Sequence, residues 1–212
     1  RLSQDSLHNW IALTKPKIAK GLGSAGSRSS AQRAAAKPYA TQLLDQMDPN
    51  GLFLYTDGSA NPNPGPCGAG ILYTRPQRID RELAIGIGQG TNNLGELWAI
   101  GAAIELAELE AAQDPLLHGC PAYIITDSQY AIGILLEGWT SKHDLNTAIA
   151  ESIRRMLRRS RLHWHINWTP GHAGVPGNEV ADAAAGSGAE ASQRGVGITG
   201  LLQRAQLDHF LP

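Results

Sequence analysis

The stretch LFLYTDGSANPNPGPCGAGILYT, residues 52–74, decides the fold of the chain. Residues 52–56 are a short β-rich run before an acid and a glycine, and residues 68–74 have the composition of a second strand. The NPNPGP between them cannot be helical, because proline lacks a backbone N–H and clashes with the preceding turn. The stretch therefore predicts two strands joined by a turn, with Asp57 just after the apolar run of the first.

On either side of this stretch, the pattern continues with strands and helices. Leu97, Ile100 and Ile104 recur at helical spacing in an Ala-rich segment that begins near residue 93. Three strands in succession, followed by strand–helix alternation, indicate an α/β fold with helices packed on a mixed sheet. The remaining predicted strands are residues 82–88, 121–126 and 162–168, and the remaining predicted helices are residues 128–137, 144–159 and a last one from about residue 178.

Composition divides the chain into three parts. Residues 1–50 form a basic, Ser- and Ala-rich arm or linker, residues 51–187 a compact α/β domain, and residues 188–212 a C-terminal extension. The arm holds seven Lys and Arg against three Asp and Glu, a net charge of +4, whereas residues 51–186 hold nine against fourteen, a net charge of −5. This asymmetry is typical of a nucleic-acid protein, and it equally fits a solvated tail on a mildly acidic enzyme.

The composition of the arm and the two cysteines indicate the cellular compartment in which the protein is expected. The arm has the composition of an organelle targeting remnant or of a basic linker, and the sequence leaves both open. Cys67 and Cys120 have neither the spacing of a metal site nor that of a disulfide framework. We therefore expect an intracellular, reducing compartment, without distinguishing nucleus or cytoplasm from mitochondrion. No apolar run is long enough to span a membrane, and no membrane partner is expected.

Four acids lie at strand ends or in early helical turns: Asp57, Glu96, Asp127 and Asp182. Carboxylates beside apolar runs are costly to bury unless a charge neutralises them. A hard cation such as Mg²⁺ does so, because it prefers carboxylate oxygens. Four carboxylates can hold two such ions, which together clamp the attacking water and the leaving oxygen of a phosphodiester. Each acid taken alone also fits a turn former or a helix cap.

Four motifs make a shared role for these acids the better interpretation: YTDGSANPNPGPCGAGIL (55–72), TNNLGELWAIGAAIELA (91–107), ITDSQYAI (125–132) and WTPGHAGVPGNEVADAAA (168–185). Together they resemble the type 1 ribonuclease H family. Each carries one of the four acids, and they occur in the family's order. The resemblance implies a ribonuclease H-like fold, with a five-stranded mixed sheet in the order 3-2-1-4-5 flanked by helices. It also implies an endoribonuclease that cuts the RNA strand of RNA–DNA hybrids, leaving 5′-phosphate and 3′-hydroxyl ends.

By the same resemblance, the four acids are both catalytic and metal-binding, and they hold two Mg²⁺ ions for which Mn²⁺ can substitute. Asp57 bridges both ions, Asp127 shares the water-activating ion, and Glu96 and Asp182 share the other. His172, in a Gly-flanked loop, completes the catalytic set by assisting proton transfer or product departure. An imidazole suits that role because it exchanges a proton near neutral pH.

The resemblance also implies contacts to the hybrid, whose 2′-hydroxyls distinguish RNA from DNA. Thr91 matches a threonine that binds a phosphate of the DNA strand. Trp139 matches an aromatic that packs against DNA sugars, and a core position is the alternative. Asn92, Asn93 and Asn178 also fit helix N-caps. The implied substrate-binding residues are Ser59, Asn63, Thr91, Asn92, Asn93, Gln129, Trp139 and Asn178.

The chain departs from the family pattern in its cationic contacts. The basic, Trp-containing protrusion of many cellular members is short or absent after Ile132, and Gln89 stands where arginine is frequent. Positive charge that replaces these contacts to the hybrid could come from the basic arm or from the arginines at 154, 155, 158, 159 and 161. Arg154 and Arg158, and Arg155 and Arg159, are four residues apart and form a basic stripe on a helix, for which a solvated helix face is the alternative.

Three hypotheses follow from these observations. The first is an active ribonuclease H, free-standing or beside a reverse transcriptase. The second is a protein of the same fold with a structural or RNA-binding role in a large nucleoprotein assembly, such as an organellar ribosome, reached through the arm. The third is a related nuclease that cuts duplex RNA or DNA. The motif match and the asparagines beside Glu96 favour hybrids.

Overall fold

A computed structural model describes residues 16, 18–19, 21–22 and 27–195 of the protein. Within these residues, five strands form one sheet in the order β3-β2-β1-β4-β5. A short 3-10 turn, Pro115–Leu117, precedes β4. The elements in chain order are α1 (Ser30–Leu44), β1 (Leu52–Ala60), β2 (Gly65–Thr74), β3 (Arg81–Gly90), α2 (Asn92–Gln113), β4 (Pro121–Thr126), α3 (Gln129–Leu136), α4 (Asp144–Arg158), β5 (His163–Trp168) and α5 (Pro176–Gln193).

The sheet is mixed, as predicted. β1 is antiparallel to β2, and β2 to β3, whereas β1, β4 and β5 run parallel to one another. The predicted element order and the predicted strand order 3-2-1-4-5 are both confirmed. The carboxyl ends of β1, β4 and β5 share one edge of the sheet, whereas the β2–β3 hairpin and the end of α4 lie towards the opposite edge.

Helix α2 fills the core on one face of the sheet. Leu97, Ile100 and Ile104, the residues with predicted helical spacing, are fully buried. They pack with Leu52 and Leu54 of β1 in one large apolar cluster. A helix that is buried almost all round needs small and aliphatic residues on every side, which explains the Ala-rich sequence.

The other face of the sheet is covered by α5 and, beside it, by α1. Near the end of α1, Leu43 and Leu44 pack with Met47 against Tyr123 and Ile125 of β4. Within the helix, Tyr39 packs against Trp168 of β5, with ring centroids 5.9 Å apart and the ring planes tilted by 55°. The segment predicted as an arm or linker thus contains a helix that packs on the sheet.

Several predicted boundaries were wrong by a few residues. β1 continues to Ala60 and β2 begins at Gly65, because the antiparallel pairing extends as far as Ala60 and Cys67. Asp57 therefore lies inside a strand, opposite Gly70. Helix α5 begins at Pro176 and ends at Gln193, beyond the predicted domain end at residue 187.

Within the described part of the chain, Cys67 is a buried free thiol and Cys120 a half-buried one. Among the described helices, none combines the length and the apolar character needed to cross a bilayer.

Candidate active site

Strand register brings two of the predicted acids side by side. Thr56 of β1 and Thr126 of β4 are the last paired residues of the parallel ladder. Asp57 and Asp127 follow them directly, one on each strand. Because adjacent strands lie about 4.8 Å apart, the two carboxylates are neighbours at this edge of the sheet.

Glu96 joins them because α2 approaches β1 without an intervening side chain. A Cβ built at Gly58 would overlap the backbone nitrogen of Glu96. A Cβ built at Gly95 would lie 2.9 Å from the Cα of Gly58. Only glycine permits this close approach, and it puts Glu96 within reach of Asp57.

Oxygen atoms of Asp57, Glu96 and Asp127 lie within 4.8 Å of one another, so the three acids can hold a divalent metal ion. Asp57 and Glu96 are each only 8% exposed. Glu96 Oε2 is buried and has no hydrogen-bond partner. A buried carboxylate oxygen without a partner is costly unless a cation completes its shell, and this all-oxygen donor set suits a hard ion.

Burial raises the pKa of all three acids, and the charges of neighbouring acids add to this effect for Asp57 and Glu96. Burial, and then the charge of Asp127, raise the pKa of Asp57 to about 8. The Gly58 N–H, which donates to Asp57 Oδ1 at 2.7 Å, opposes that shift. Burial and the charge of Asp57 raise the pKa of Glu96 well above its usual range, and burial raises that of Asp127. The cluster resists full ionisation until positive charge is supplied.

The fourth acid lies with the predicted histidine on the exposed side of the site. His172 Nδ1 is 3.6 Å from Asp182 Oδ2, and the His172 side chain is 60% exposed. Glu179 completes a second group whose ligand atoms also lie within 4.8 Å of one another. Glu179 accepts a hydrogen bond from the Gly174 N–H at 3.2 Å, which fixes the end of the His172 loop. His172 has a φ of 47°, an uncommon conformation for a residue with a side chain.

Asp127 is held on three sides. Trp168 Nε1 donates to its backbone carbonyl at 3.1 Å, and the Asn178 side chain forms a hydrogen bond with its carboxylate. A Cβ at Gly171 would overlap Asp127 Oδ2, so the His172 loop packs directly against the carboxylate.

A residue of the predicted arm also reaches this loop. Arg28 is 5% exposed. Its Nε donates to the Leu22 carbonyl at 3.0 Å, and its Nη1 donates to the Gly171 carbonyl. The Arg28 charge also acts on Asp127, lowering the pKa of that carboxyl against the larger effect of burial.

Several predicted substrate-binding residues link the β1–β2 turn to the start of α2. Asn92 Oδ1 accepts the Ala60 N–H at 2.6 Å, and Asn63 Oδ1 accepts the Asn92 N–H at 3.2 Å. Asn63, Asn92 and Asn93 are exposed, and Ser59 is half-buried.

The predicted helix caps were wrong. Thr91, rather than Asn92 or Asn93, caps α2 by accepting the Leu94 N–H at 3.2 Å. Asn178 is the third residue of α5, not its cap, because Pro176 starts the helix two residues earlier. It is 2% exposed, beside Asp127.

The other predicted contacts lie along α3. Gln129, exposed, begins the helix two residues after Asp127. Trp139 is half-exposed and its ring lies against Gly133, so it is not a core aromatic.

The arginines at the end of α4 lie away from the acids. Arg154 hydrogen-bonds the carbonyls of Ile134 and Leu135. Arg159 and Arg161 border a groove with Glu105 and Glu108. The chain passes from here into the first residue of β5, at the sheet edge opposite the acids, so the geometry does not favour a compensating role.

Sequence reasoning missed three residues of the site: Arg28, Gly171 and Glu179. Glu179 stands within the fourth motif and lies in the first turn of α5, where an acid also favours the helix dipole. Gly171 carried a detectable signal, since it stands directly before the loop histidine. Arg28 lies in a Gly- and Ser-rich segment, where no local pattern indicated that it would be buried.

The chain is similar to known ribonucleases H in both sequence and fold. The family model described as RNase H matches residues 49–190. The ribonuclease H of Coxiella burnetii is 34% identical over 165 residues, covering 72% of this chain and 99% of the relative. RNase H1 of Halobacterium salinarum is 27% identical with a TM-score of 0.52, covering 66% of this chain and 97% of that structure. LC11-RNase H1, solved in complex with an RNA/DNA hybrid, shares the fold at 21% identity and a TM-score of 0.53, covering 64% of this chain and 97% of its own.

Proposed function

The chain belongs to the ribonuclease H family, and from that premise we propose that it hydrolyses the RNA strand of RNA–DNA hybrids with two Mg²⁺ ions. The observation that supports this most directly is the group Asp57, Glu96 and Asp127, whose oxygens lie within 4.8 Å of one another. The products would carry 5′-phosphate and 3′-hydroxyl ends. Mn²⁺ offers the same preference for oxygen ligands and would substitute.

All four acids would be ligands of the ions, and they differ in position and exposure. Asp57 lies between Asp127 on the neighbouring strand and Glu96 on α2, which favours it as the shared ligand. Asp182 is more open to solvent than Asp57 and Glu96, with 43% of its side chain exposed. When bound, the ions supply Lewis acidity that activates a water and stabilises the leaving oxygen.

The surrounding residues orient groups and move a proton. Asn178 and Gly171 fix the carboxylate of Asp127 from two sides. His172 is exposed, and its Nδ1 lies 3.6 Å from Asp182 Oδ2. It could therefore transfer a proton at Nδ1 as the cleaved RNA leaves the site. Glu179 stabilises the loop that carries this histidine.

Recognition of the hybrid would use the polar rim of the site. Ser59, Gln129 and the asparagines of the β1–β2 turn and the α2 start can contact 2′-hydroxyls. Thr91 would meet a DNA phosphate at the α2 N-terminus, where backbone N–H groups favour an anion. The exposed ring of Trp139 offers an apolar surface to the sugars.

The test is cleavage of a labelled RNA–DNA hybrid with Mg²⁺, beside duplex RNA and duplex DNA, by wild type and Asp57→Asn. We expect wild type to cut the hybrid alone and the variant to lose activity by about 10³-fold or more, since several kcal/mol of charge stabilisation disappear. The variant should still bind the hybrid, because it keeps the rim of the site.

Asp80→Asn is the matched control, because Asp80 is exposed in the β2–β3 hairpin. It should retain full activity. If folded wild type saturated with Mg²⁺ cuts none of the substrates, that result would contradict the proposed activity. It would favour a binding role in a nucleoprotein assembly. Cleavage of duplex RNA or DNA at the hybrid's rate would instead favour a nuclease of different substrate class.

A further inference from the structure

A pocket with a volume of about 880 Å³ lies between helix α1 and the loop that carries His172. Helix α1 contributes the cationic side chains Arg33 and Lys37 to its wall, and the loop contributes His172 and Ala173. Arg33, Lys37 and His172 are all exposed. The pocket therefore adjoins the proposed active site and opens to solvent.

The pocket is positively charged on the side formed by α1. Residues 27–44 contain three Lys and Arg and no Asp or Glu. Arg33 and Lys37 are four residues apart, so they lie on one face of the helix. Neither forms an ion pair with any residue that the structure describes, and the acid on the wall, Asp45, follows the far end of the helix. Two unpaired cations facing one cavity favour an anion there.

The two walls are fastened to each other. The buried Arg28 donates to the Gly171 carbonyl, directly before His172. Arg33 Nη1 donates to the Arg28 carbonyl at 2.7 Å, which uses one of its five N–H groups and orients the guanidinium. Ser29 and Gln32 form a capping box that fixes the start of α1. The cations are thus held at a set distance from His172.

We propose that this pocket binds a backbone phosphate of the RNA strand, with Arg33 and Lys37 as its ligands. The inference rests on the proposed function, because its ligand is the RNA strand that the enzyme would cut beside His172. The phosphate would lie near the scissile bond, on the side of the site formed by the His172 loop. Helix α1 lies outside residues 49–190, which match the family. It supplies cations to a domain whose basic protrusion is short or absent.

The test compares two double variants of the full chain, Arg33→Gln/Lys37→Gln and Arg78→Gln/Arg158→Gln. Arg78 and Arg158 are exposed and lie towards the opposite edge of the sheet. Binding of a labelled RNA–DNA hybrid is measured by fluorescence anisotropy in EDTA over a salt series. We expect about tenfold weaker binding for the first variant and a salt slope shallower by about 1, since one phosphate contact is lost. The second variant should keep the wild-type slope.

Steady-state cleavage gives a second readout. Loss of a contact remote from the reacting bond should raise KM about tenfold and leave kcat nearly unchanged. The single variant Lys37→Glu, an exposed change with no described hydrogen bond at the ammonium, should shift KM in the same direction. Circular dichroism checks that all variants are folded.

Equal affinity and an equal salt slope for the two double variants would overturn the phosphate site. That outcome is distinct from failure of the proposed function, in which the wild-type chain itself would leave the hybrid intact. A kcat loss without a KM change would also overturn it, since it would indicate a distorted His172 loop instead.

Discussion

Gly58, Gly95 and Gly171 act through the side chains they lack. The first two let the backbones of β1 and α2 approach closely enough to bring Glu96 to Asp57. Gly171 gives the carboxylate of Asp127 its space beneath the His172 loop. At the scale of single residues, the spacing of the acids is set by neighbouring glycines as much as by the acids themselves.

Gly171→Ala should reduce kcat by about 100-fold with little loss of stability. The added methyl overlaps Asp127 Oδ2, the end of a movable side chain, so the carboxylate shifts while the backbone stays. A displacement of about 1 Å at a reacting centre costs a factor of this size. Hybrid cleavage at saturating substrate measures it, and urea unfolding checks the fold.

Gly186→Ala is the matched control, because a Cβ at that position of α5 meets nothing within 4 Å. It should keep wild-type kcat and raise the free energy of unfolding by about 0.5–1 kcal/mol, since alanine favours a helix. Wild-type kcat in Gly171→Ala would contradict the positioning role of this glycine.

The sequence predicted the four acids and His172, because the motifs carry them with short-range spacing. It could not predict which groups position them. Asn178 fits a helix cap by composition, yet the helix starts at Pro176 and turns Asn178 towards Asp127. That outcome depends on how α5 packs against the sheet, which no local pattern encodes.

At the scale of elements, the sequence pattern did not predict helix α1, and the reason is physical. Its buried residues on the sheet side include Ala36 and Ala40, which are small and give a weak apolar signal. Pro38 lies inside the helix, where proline removes a backbone hydrogen bond and usually indicates an end. The helix is stabilised by contacts with the sheet, such as Tyr39 on Trp168, rather than by its own propensity.

Ala40→Asp should lower the free energy of unfolding by about 3 kcal/mol, because it buries a charge at a fully covered position. Ala35→Asp makes the same change on the exposed side of the same helix and should cost less than about 1 kcal/mol. Urea denaturation of both variants measures the difference. Equal effects would contradict the packing of α1 on the sheet.

The acid cluster connects the site to the stability of the whole molecule. The folded-state pKa of Asp57, about 8, lies above its ordinary value of 3.8. Between these values the folded protein holds a proton that the unfolded chain has released. The free energy of unfolding therefore falls as pH rises through this interval, and the penalty is fully present above the folded pKa.

Without metal, we expect the protein to be more stable near pH 5.5 than at pH 8, and Asp57→Asn to stabilise it at pH 8 by about 1–3 kcal/mol. Urea unfolding in EDTA measures both effects, and Asp80→Asn should change neither. At pH 8, saturating Mg²⁺ should make wild type more stable than Asp57→Asn. Binding of the ion to the folded state adds about 2.7 kcal/mol when its concentration is 100 times Kd. Metal-free stability that does not vary with pH would contradict the burial of these acids.

The contact between Arg28 and the Gly171 carbonyl determines where the chain joins the domain. Leu22 lies at the rim of the active site, because Arg28 donates to its carbonyl and to that of Gly171, whereas β1 begins at the opposite edge of the sheet. A nucleic-acid-binding module fused upstream through a short flexible linker would work as a tether, with an effective concentration at the substrate in roughly the millimolar range. The segment at Leu22 is therefore a suitable attachment point for engineering processivity.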